Sequence, residues 1–475
     1  MGPWINQELA GCRFADARLA GRFGLLMEQL SKGLGQSLPL ACGDWASTKA
    51  AYRFLDNKRV SEAEILAGHM QATRARVGAV DGPVLALHDT TEFSFTRERA
   101  HAIGVTNRVA AGHKDEKGRQ RMHTVCGILM HSSLIVTTDG VPLGLAAIKL
   151  WTRKRFKGTN ALKGRGLDAG THSVNTTRIP IELKESIRWL ENVRQSTANI
   201  GDAARCIHIG DRESDIYELF SECASLGTKF VFRTCVDRRV EDGRRTVANA
   251  MDEQRVRAVH RLEVRDDKGR PSNAVLELKY HQIEVCPPIG KEKRYGTMVL
   301  SVIHAKERGV PKGRAAIDWK LVTNLSIRSK ADAIEKLDWY ALRWKIETFH
   351  KVLKSGCRAE DSRLRTAERL VNLIAIMCIL AWRVLWLTMM NRASPNLPVK
   401  LVFTNSEINL LERLVPVNDG SRKKTVGNFL TRLARLGGYL NRARDAPPGN
   451  MVLWRGMARL TDIHLGYCLA KDVGN

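Results

Sequence analysis

The order of apolar and polar residues divides the chain into stretches of different texture. Residues 1–75 show helical spacing and no strand-like alternation. Asp44 can cap one helix, and Ser61 with Glu64 forms a capping-box pattern that opens the next. We therefore predict that the N-terminal part of the chain is helical.

From about residue 80, short apolar runs typical of strands take over. Two of them end in an acid, Val84–Asp89 and Cys206–Asp211, and a helical pattern lies between them at about 180–196. Further strands are predicted at Thr124–Met130, Ser133–Thr138 and Lys229–Cys235. Short apolar strands separated by a helix predict an α/β core in which some parallel strands are buried on both faces.

The texture changes again between about 237 and 318. Charged turns separate stretches such as Val275–Tyr280, in which apolar and polar residues alternate. Because a period of two gives a strand with one wet face, we predict an antiparallel β insertion rather than a continuation of the core. From about Asp332 the chain is predicted to be helical, apart from loops near Pro395–Pro398 and Pro447–Gly449.

The amino-acid composition limits the classes of function that the protein can have. Apolar residues make up 44% and charged residues 27% of the 475 residues, which excludes wholesale disorder and leaves room for about three domains. The 76 Lys and Arg outnumber the 50 Asp and Glu, and the net charge is +26. A surplus of this size favours an anionic partner, of which nucleic acid is the commonest and a membrane surface the alternative.

Membrane association and secretion are not expected. The longest apolar run, Leu373–Trp382, falls short of the roughly 20 residues that span a bilayer, so we predict a buried core helix there. The start of the sequence lacks the pattern of a secretory signal. The ten cysteines form no C-x-x-C pair, which argues against a zinc site and favours a reducing compartment. We expect a cytoplasmic protein.

The two acids that follow the apolar runs are the first candidates for chemistry. Asp89 and Asp211 would stand at the rim of the sheet, where open α/β folds bind ligands. Carboxylates from neighbouring strands can share Mg²⁺ or Mn²⁺, which prefer oxygen ligands. Each acid taken alone also fits a turn or a helix cap.

A predicted helix over Trp339–Lys354 supplies a third acid. One face is an apolar core stripe. The other carries Tyr340, Arg343, Glu347, Lys351 and Lys354. Steps of seven residues, nearly two turns, would stack the first, third and last of these in line. This face is either a surface salt-bridge ladder or a metal-binding carboxylate flanked by phosphate-binding cations.

The spacing Tyr340-x2-Arg343-x3-Glu347-x6-Lys354 resembles the Y-R-E-K signature of bacterial cut-and-paste insertion-sequence transposases. The resemblance is closest to the Tn-five-type branch and extends over essentially the whole chain. In the same family pattern, Asp89 and Asp211 resemble the first and second catalytic aspartates.

This resemblance implies an RNase H-like core in which Asp89, Asp211 and Glu347 are catalytic and hold two divalent ions, Mg²⁺ or Mn²⁺. In such enzymes water nicks the transposon end, the freed 3′-OH attacks the opposite strand to give a hairpin, and after reopening the same 3′-OH joins target DNA. No nucleotide cofactor is expected. Related alternatives are a metal-dependent nuclease of the same fold and an inactive DNA-binding copy.

The resemblance also assigns DNA contacts. Tyr340, Arg343 and Lys354 would hold the phosphate beside the scissile position, and Trp319 would stack on a flipped base, although alone it fits a core aromatic. Arg212 either contacts phosphate or pairs with a neighbouring acid, Glu213 or Asp215.

Other cations and histidines have competing interpretations. A run from Arg153 to Lys157, followed by Lys163 and Arg165, is either a solvated loop or a set of phosphate contacts. His88 and His350 lie beside candidate ligands, and a packing or hydrogen-bonding role is favoured for both.

The domain organisation follows from the same resemblance. Residues 1–75 would form a DNA-binding domain that holds the inverted-repeat ends through Arg18, Arg22 and Arg53. Residues 76–390 would form the catalytic core, interrupted by the insertion at about 237–318, and residues 391–475 a helical domain that builds a homodimer on double-stranded DNA. A bacterial protein of this kind would lie on the nucleoid when bound.

Overall fold

The protein is a mixed α/β structure with helices at both ends of the chain, as the pattern predicts. In the computed structural model, the residues described are 3–97, 100–114, 120–153, 179–265, 271–311, 313–416 and 424–473. Two sets of helices flank the region that supplies the sheet.

Fourteen α-helices fall within the described residues. Those before and within the sheet region are α1 Pro3–Leu9, α2 Ala17–Lys32, α3 Leu38–Cys42, α4 Trp45–Leu55, α5 Glu62–Gly78, α6 Ile187–Ile200, α7 Tyr217–Ser225 and α8 Val247–Asp252. Those after it are α9 Lys330–Ala341, α10 Trp344–Lys351, α11 Ala367–Ala393, α12 Asn405–Leu414, α13 Val426–Leu436 and α14 Asn450–Val473.

The described strands number twelve and join into one sheet. They are β1 Val84–Ser94, β2 Val105–Lys114, β3 Gln120–Thr137, β4 Pro142–Trp151, β5 Cys206–Gly210, β6 Lys229–Arg233, β7 Arg239–Val240, β8 Arg245–Thr246, β9 Ala258–Arg265, β10 Pro271–Val285, β11 Met298–Glu307 and β12 Asp318–Thr323. The two strands predicted between residues 124 and 138 are one continuous strand, β3. The prediction of a break there was wrong, because the segment pairs with β1 without interruption.

The centre of the sheet contains the buried strands that the sequence predicted. β1 is antiparallel to β3 on one side and parallel to β5 on the other, and β5 is parallel to β6. Leu85 and Leu87 pack with the residues of α10 and α11 on one face, whereas Val84 and Ala86 pack against α5 and α6 on the other. Helices therefore cover both faces of the parallel strands.

The insertion is antiparallel as predicted, but it continues the core sheet rather than standing apart from it. β12 pairs antiparallel with β6, and β11 and β10 follow in order. The hydrogen bonds of β12 satisfy what would otherwise be an open edge of the parallel strands. The expectation of a separate β unit was therefore wrong, although its composition and strand direction were predicted correctly.

The helical N-terminal region and its caps are confirmed. Asp44 accepts a hydrogen bond from the Ser47 amide at 2.8 Å, and Ser61 with Glu64 forms the capping box. These helices lie on α11: Asn372 donates to the carbonyl oxygens of Leu55 and Val60 at 3.1 and 3.2 Å. They share one hydrophobic core with the sheet.

The long apolar run forms α11, Ala367–Ala393. Within the described residues it is the one helix whose length and composition would suit a membrane, yet 83% of its most apolar window is buried inside the protein. Its buried residues contact both the sheet core and the C-terminal helices. The prediction of a buried core helix is confirmed.

Candidate active site

Sheet register brings the two candidate aspartates together. The parallel pairs of β1 and β5 run from Val84 with Cys206 to Leu87 with Ile209. Continuing the same register by two residues sets Asp89 level with Asp211. Since neighbouring strands lie about 4.8 Å apart, the two acids are neighbours although 121 residues separate them in the chain.

Asp89 is not at the end of its strand, which corrects the prediction. β1 continues to Ser94, and Asp89 is opposite Ser132 on β3. The reason is that β3 is long enough to pair with all of β1, whereas β5 stops at Gly210. Asp89 therefore lies where the parallel neighbour ends, with its side chain only 19% exposed.

Asp211 begins a tight turn and caps it. Its Oδ1 accepts the Glu213 amide at 2.9 Å. Burial raises the pKa of Asp211; the Glu213 amide and Arg343 oppose that rise, and the nearby carboxylates of Asp89 and Glu347 add to it. The three candidate acids are therefore close enough to influence one another electrostatically.

Glu347 lies on α10, which packs over β1. The helix predicted as continuous from Trp339 to Lys354 is interrupted, and that prediction was wrong. The amides of Arg343, Lys345 and Ile346 reach back three residues instead of four, so a tight turn separates α9 from α10. The expected straight stack of side chains from Tyr340 to Lys354 therefore does not form.

Arg343 forms an ion pair with Glu347. The guanidinium is 20% exposed and the carboxylate 53% exposed. Burial opposes the charge of Arg343, but Glu347, Tyr340 and Asp89 together raise its pKa. Arg343 thus contacts one candidate metal ligand, Glu347, and interacts electrostatically with another, Asp89.

Tyr340 was expected on the wet face and is instead 4% exposed. Its ring meets that of Trp319 edge to face, with centroids 5.1 Å apart. Trp319 lies on β12 and is partly buried, so the two aromatic residues assigned to DNA do lie together. Burial raises the pKa of Tyr340, while the nearby cations of Arg343 and Arg233 lower it.

The two lysines of the signature helix differ in their surroundings. Lys351 is exposed on the last turn of α10. Lys354 falls in a π-helical turn, Val352–Gly356, and its ammonium lies 5.8 Å from the ring centroid of Phe93 on β1. Single π turns are common at functional sites because they shift side chains out of helical register.

Arg212 is exposed beside Asp211. The two acids considered as its partners are engaged elsewhere: Glu213 pairs with Arg188, and Asp215 pairs with Arg238. Over the described ranges no ion pair involves Arg212. The pairing alternative is therefore excluded for both acids, which leaves the guanidinium available to an anion.

The three acids do not form a closed metal site in the protein alone. Among the described residues, no group of three or more His, Cys, Asp or Glu side chains lies close enough together to hold a metal ion. The donors fit a hard cation because all three are carboxylates, and the pKa of Asp211 is raised mainly by burial, with a further contribution from the carboxylates of Asp89 and Glu347. In the protein alone, the carboxylate of Glu347 is paired with Arg343 instead.

Both histidines beside the acids have hydrogen-bonding roles. His88 is fully buried, with Nε2 at 2.8 Å from His208 Nδ1 and Nδ1 at 2.9 Å from Ser133 Oγ. His350 has Nε2 at 2.9 Å from Ser132 Oγ, and its Nδ1 is 3.6 Å from Asp89 Oδ2.

The remaining cations predicted to contact DNA lie on the N-terminal helices and in the basic run, most of which falls outside the described residues. Arg18 and Arg22 are exposed on α2, and Arg53 is exposed on α4. Of the basic run, only Arg153 is described, and it pairs with Glu185. Lys154–Lys157, Lys163 and Arg165 lie outside the described residues.

Two arginines near the site were missed from the sequence. Arg233 ends β6 beside Tyr340; it fell within the predicted strand Lys229–Cys235, and a cation inside that apolar run was a usable signal. Arg188 on α6 bonds both Thr90 and Glu213. Its helical position carried no such signal, because its neighbours come from distant parts of the chain.

Comparison with protein families agrees with this geometry. Residues 1–60 match the family model described as transposase DNA-binding, and residues 184–383 match the model described as transposase DDE domain. The second match includes Asp211 and Glu347, whereas Asp89 precedes it. A DDE domain has an RNase H-like core and depends on divalent metal. The chain therefore carries a transposase DNA-binding region and a transposase DDE domain.

Proposed function

We propose that the protein binds the inverted-repeat ends of a transposon, cuts them through a hairpin intermediate and joins their 3′-OH ends to target DNA. The observation that carries the proposal is the sheet register, which sets Asp89 level with Asp211 under the helix of Glu347. The hairpin route follows the resemblance of the Tyr340–Lys354 spacing to the Y-R-E-K signature.

Asp89, Asp211 and Glu347 are proposed to hold two divalent ions, Mg²⁺ or Mn²⁺. Bound there, the ions would stabilise the attacking and leaving oxygens of an in-line phosphoryl transfer. The mutual effect of the three carboxylates on the pKa of Asp211 supports this assignment. The chain's own contribution is to bring Asp89 and Asp211 together on the central strands of the sheet and to place Glu347 above them on α10.

Arg343 is proposed to grip the phosphate beside the scissile bond, together with Tyr340, Lys354 and the exposed Lys351 and Arg212. A guanidinium meets phosphate oxygens with a planar pair of donors. Arg343 holds Glu347 through Nη2; if the guanidinium turns to phosphate, the freed carboxylate can join the metal ligands. Trp319, in contact with Tyr340, is proposed to stack on a flipped base.

The exposed arginines Arg18, Arg22 and Arg53 are proposed to contact the end duplex, and the C-terminal helices after residue 391 to build a homodimer. The match of residues 1–60 to transposase DNA-binding domains supports the first assignment. The net charge of +26 suits a complex that holds two duplex ends, each with about one negative charge per 1.7 Å of helix axis.

The test uses the full chain and a duplex that carries an inverted repeat found beside the gene. Asp211→Asn and Glu347→Gln should abolish nicking, hairpin formation and strand transfer while end binding in a gel-shift assay is unchanged. Glu335→Gln is the matched control for Glu347, because Glu335 is 51% exposed on α9 and also pairs with a cation, Lys336.

The products on a denaturing gel decide between the alternatives. A hairpin and joined target DNA support the transposase. Cleavage without end preference, hairpin or joining would instead indicate a nuclease, and binding without any product in Mg²⁺ or Mn²⁺ would indicate an inactive copy. Loss of binding in Asp211→Asn would contradict the assignment of that residue to the chemistry.

A further inference from the structure

Arg188 occupies a position between the two aspartate segments that the proposed mechanism does not use. It lies in the first turn of α6, and its side chain is 12% exposed. Its Nε donates to Thr90 Oγ1 at 3.2 Å, and Nη2 pairs with Glu213. A third hydrogen bond, from Nη1 to the Glu185 carbonyl oxygen at 3.2 Å, holds the guanidinium against the turn that precedes its helix.

Each hydrogen-bond partner of Arg188 on these two segments is directly linked to one of the aspartates. Thr90 follows Asp89 in β1, and its hydroxyl also lies 2.9 Å from His131 Nδ1. Glu213 gives its amide hydrogen to Asp211 Oδ1. One guanidinium therefore joins the segment of Asp89 to the turn of Asp211 at the level where the β1–β5 hydrogen bonds have ended.

We propose that Arg188 is a positioning residue that holds Asp89 and Asp211 at the spacing a divalent ion requires. The inference rests on the proposed function, because it assigns these aspartates to the metal. β5 ends at Gly210, so backbone pairing no longer fixes the Asp211 turn against β1. Groups that orient metal ligands without binding the metal set its affinity, and their loss costs about 10- to 100-fold.

The planar fork of arginine is essential to this role. Nε serves Thr90 and Nη2 serves Glu213, two donors in fixed geometry on one plane. The single ammonium of lysine keeps the charge but cannot serve both partners in that geometry. Lysine therefore distinguishes positioning from a simple requirement for positive charge.

The test measures Mn²⁺ binding by electron paramagnetic resonance in the complex of the full chain with an end duplex, alongside cleavage. The Asp211→Asn complex gives the baseline for Mn²⁺ held by DNA alone. Arg188→Gln and Arg188→Lys should both lower Mn²⁺ affinity about 10- to 100-fold, with end binding unchanged and with cleavage partly restored at high Mn²⁺. Arg194→Gln is the control, since Arg194 lies on the same helix and pairs with Glu222 at 2.7 Å.

Other outcomes would overturn the inference. Wild-type Mn²⁺ affinity in Arg188→Gln, or full restoration by Arg188→Lys, rules out positioning, and weakened end binding with normal Mn²⁺ affinity makes Arg188 a phosphate-binding residue. If Arg188→Gln does not fold, Glu213→Gln tests the same link, because Glu213 is 56% exposed. If Asp211→Asn changes neither Mn²⁺ binding nor cleavage, the proposed function itself has failed.

Discussion

The aspartates and the glutamate of the candidate site are held by different means. Asp89 lies on β1, and Asp211 directly follows the paired strand β5; a partly buried arginine, Arg188, joins their segments. Glu347 stands on a short helix between a tight turn and a π turn, with its carboxylate 53% exposed. The fold therefore sets the positions of Asp89 and Asp211, which we call the sheet side of the site. On the helix side, the carboxylate of Glu347 can take more than one partner.

This difference separates what the fold determines from what the ligand determines. A strand register cannot change by one residue without turning every side chain to the other face. The carboxylate of Glu347, by contrast, can exchange its partner Arg343 for a cation by side-chain rotation alone. We infer that binding of DNA and metal completes the site from the helix side.

The largest effect should come from removing any one of the acids. Asp89→Asn, Asp211→Asn and Glu347→Gln should each lower end cleavage at least about 10³-fold, because metal stabilisation is worth several kcal/mol and about 1.4 kcal/mol is a factor of ten. Cleavage of a labelled end duplex under single-turnover conditions measures this. Substantial activity in Glu347→Gln alone would show that the helix side is dispensable.

A smaller effect, with opposite signs in two assays, is expected from Arg343→Gln. In the DNA-free protein the change releases Glu347, so Mn²⁺ affinity should rise up to about fivefold, the equivalent of ~1 kcal/mol for an exposed ion pair. Cleavage should fall about 10- to 100-fold, because the variant cannot make a charged hydrogen bond to phosphate.

Calorimetry and single-turnover cleavage on the same preparation check both signs of the Arg343 prediction. Arg358→Gln is a suitable control, since Arg358 also pairs with an acid, Asp361, in an exposed ion pair that includes none of the three candidate acids. Unchanged Mn²⁺ affinity in Arg343→Gln would mean that the ion pair does not restrain Glu347, and the contrast between the two sides of the site would be weaker.

The same contrast explains what the sequence could predict. The apolar runs before Asp89 and Asp211 located both strands, because buried parallel strands leave an unmistakable pattern. The resemblance of the Tyr340–Lys354 spacing to the Y-R-E-K signature singled out Glu347, which lies on a helix that packs over β1. The continuous helix was wrong, because a seven-residue step cannot reveal that Arg343, Lys345 and Ile346 form three-residue hydrogen bonds.

Tertiary partners account for the rest of what was missed. Arg188 is a helix residue like any other until the fold brings it against Thr90 of β1 and Glu213 in the turn after β5. Tyr340 looked exposed because periodicity counts one apolar stripe, whereas β12 brings Trp319 against the opposite side of α9. The insertion was predicted to be separate because alternation describes a strand's faces and not which edge it joins.

Removing cations that lie outside the candidate site should weaken DNA binding and leave Mn²⁺ affinity unchanged. Arg18→Ala, Arg22→Ala and Arg53→Ala should each reduce the slope of log affinity against log salt by about 0.9, because each removes one cation from a DNA phosphate. Lys32→Ala is the control, because Lys32 is on α2 but pairs with Glu28 at 3.1 Å. Fluorescence anisotropy across a salt series measures the slope, and an altered Mn²⁺ affinity would contradict the separation.

The smallest effect concerns stability and tests whether the ionised carboxylate of Asp211 destabilises the folded protein. The pKa of Asp211 is raised above its ordinary 3.8 in the folded protein, so folding binds its proton more tightly, and stability falls as pH rises through that raised pKa. Asp211→Asn removes this penalty and keeps an oxygen for the Glu213 amide. The metal-free variant should therefore melt higher than wild type at pH 7, with the difference vanishing as pH falls toward 4.

Asp215→Asn, four residues on, is the opposing control for that stability prediction. Asp215 is 1% exposed and pairs with Arg238, so its replacement leaves a buried charge unpaired and should lower the melting temperature. If Asp211→Asn also melts lower than wild type at pH 7, burial and the neighbouring carboxylates do not destabilise the ionised Asp211 side chain. The sheet side would then be a relaxed structural turn, and a prebuilt metal site at Asp89 and Asp211 would lose its main electrostatic support.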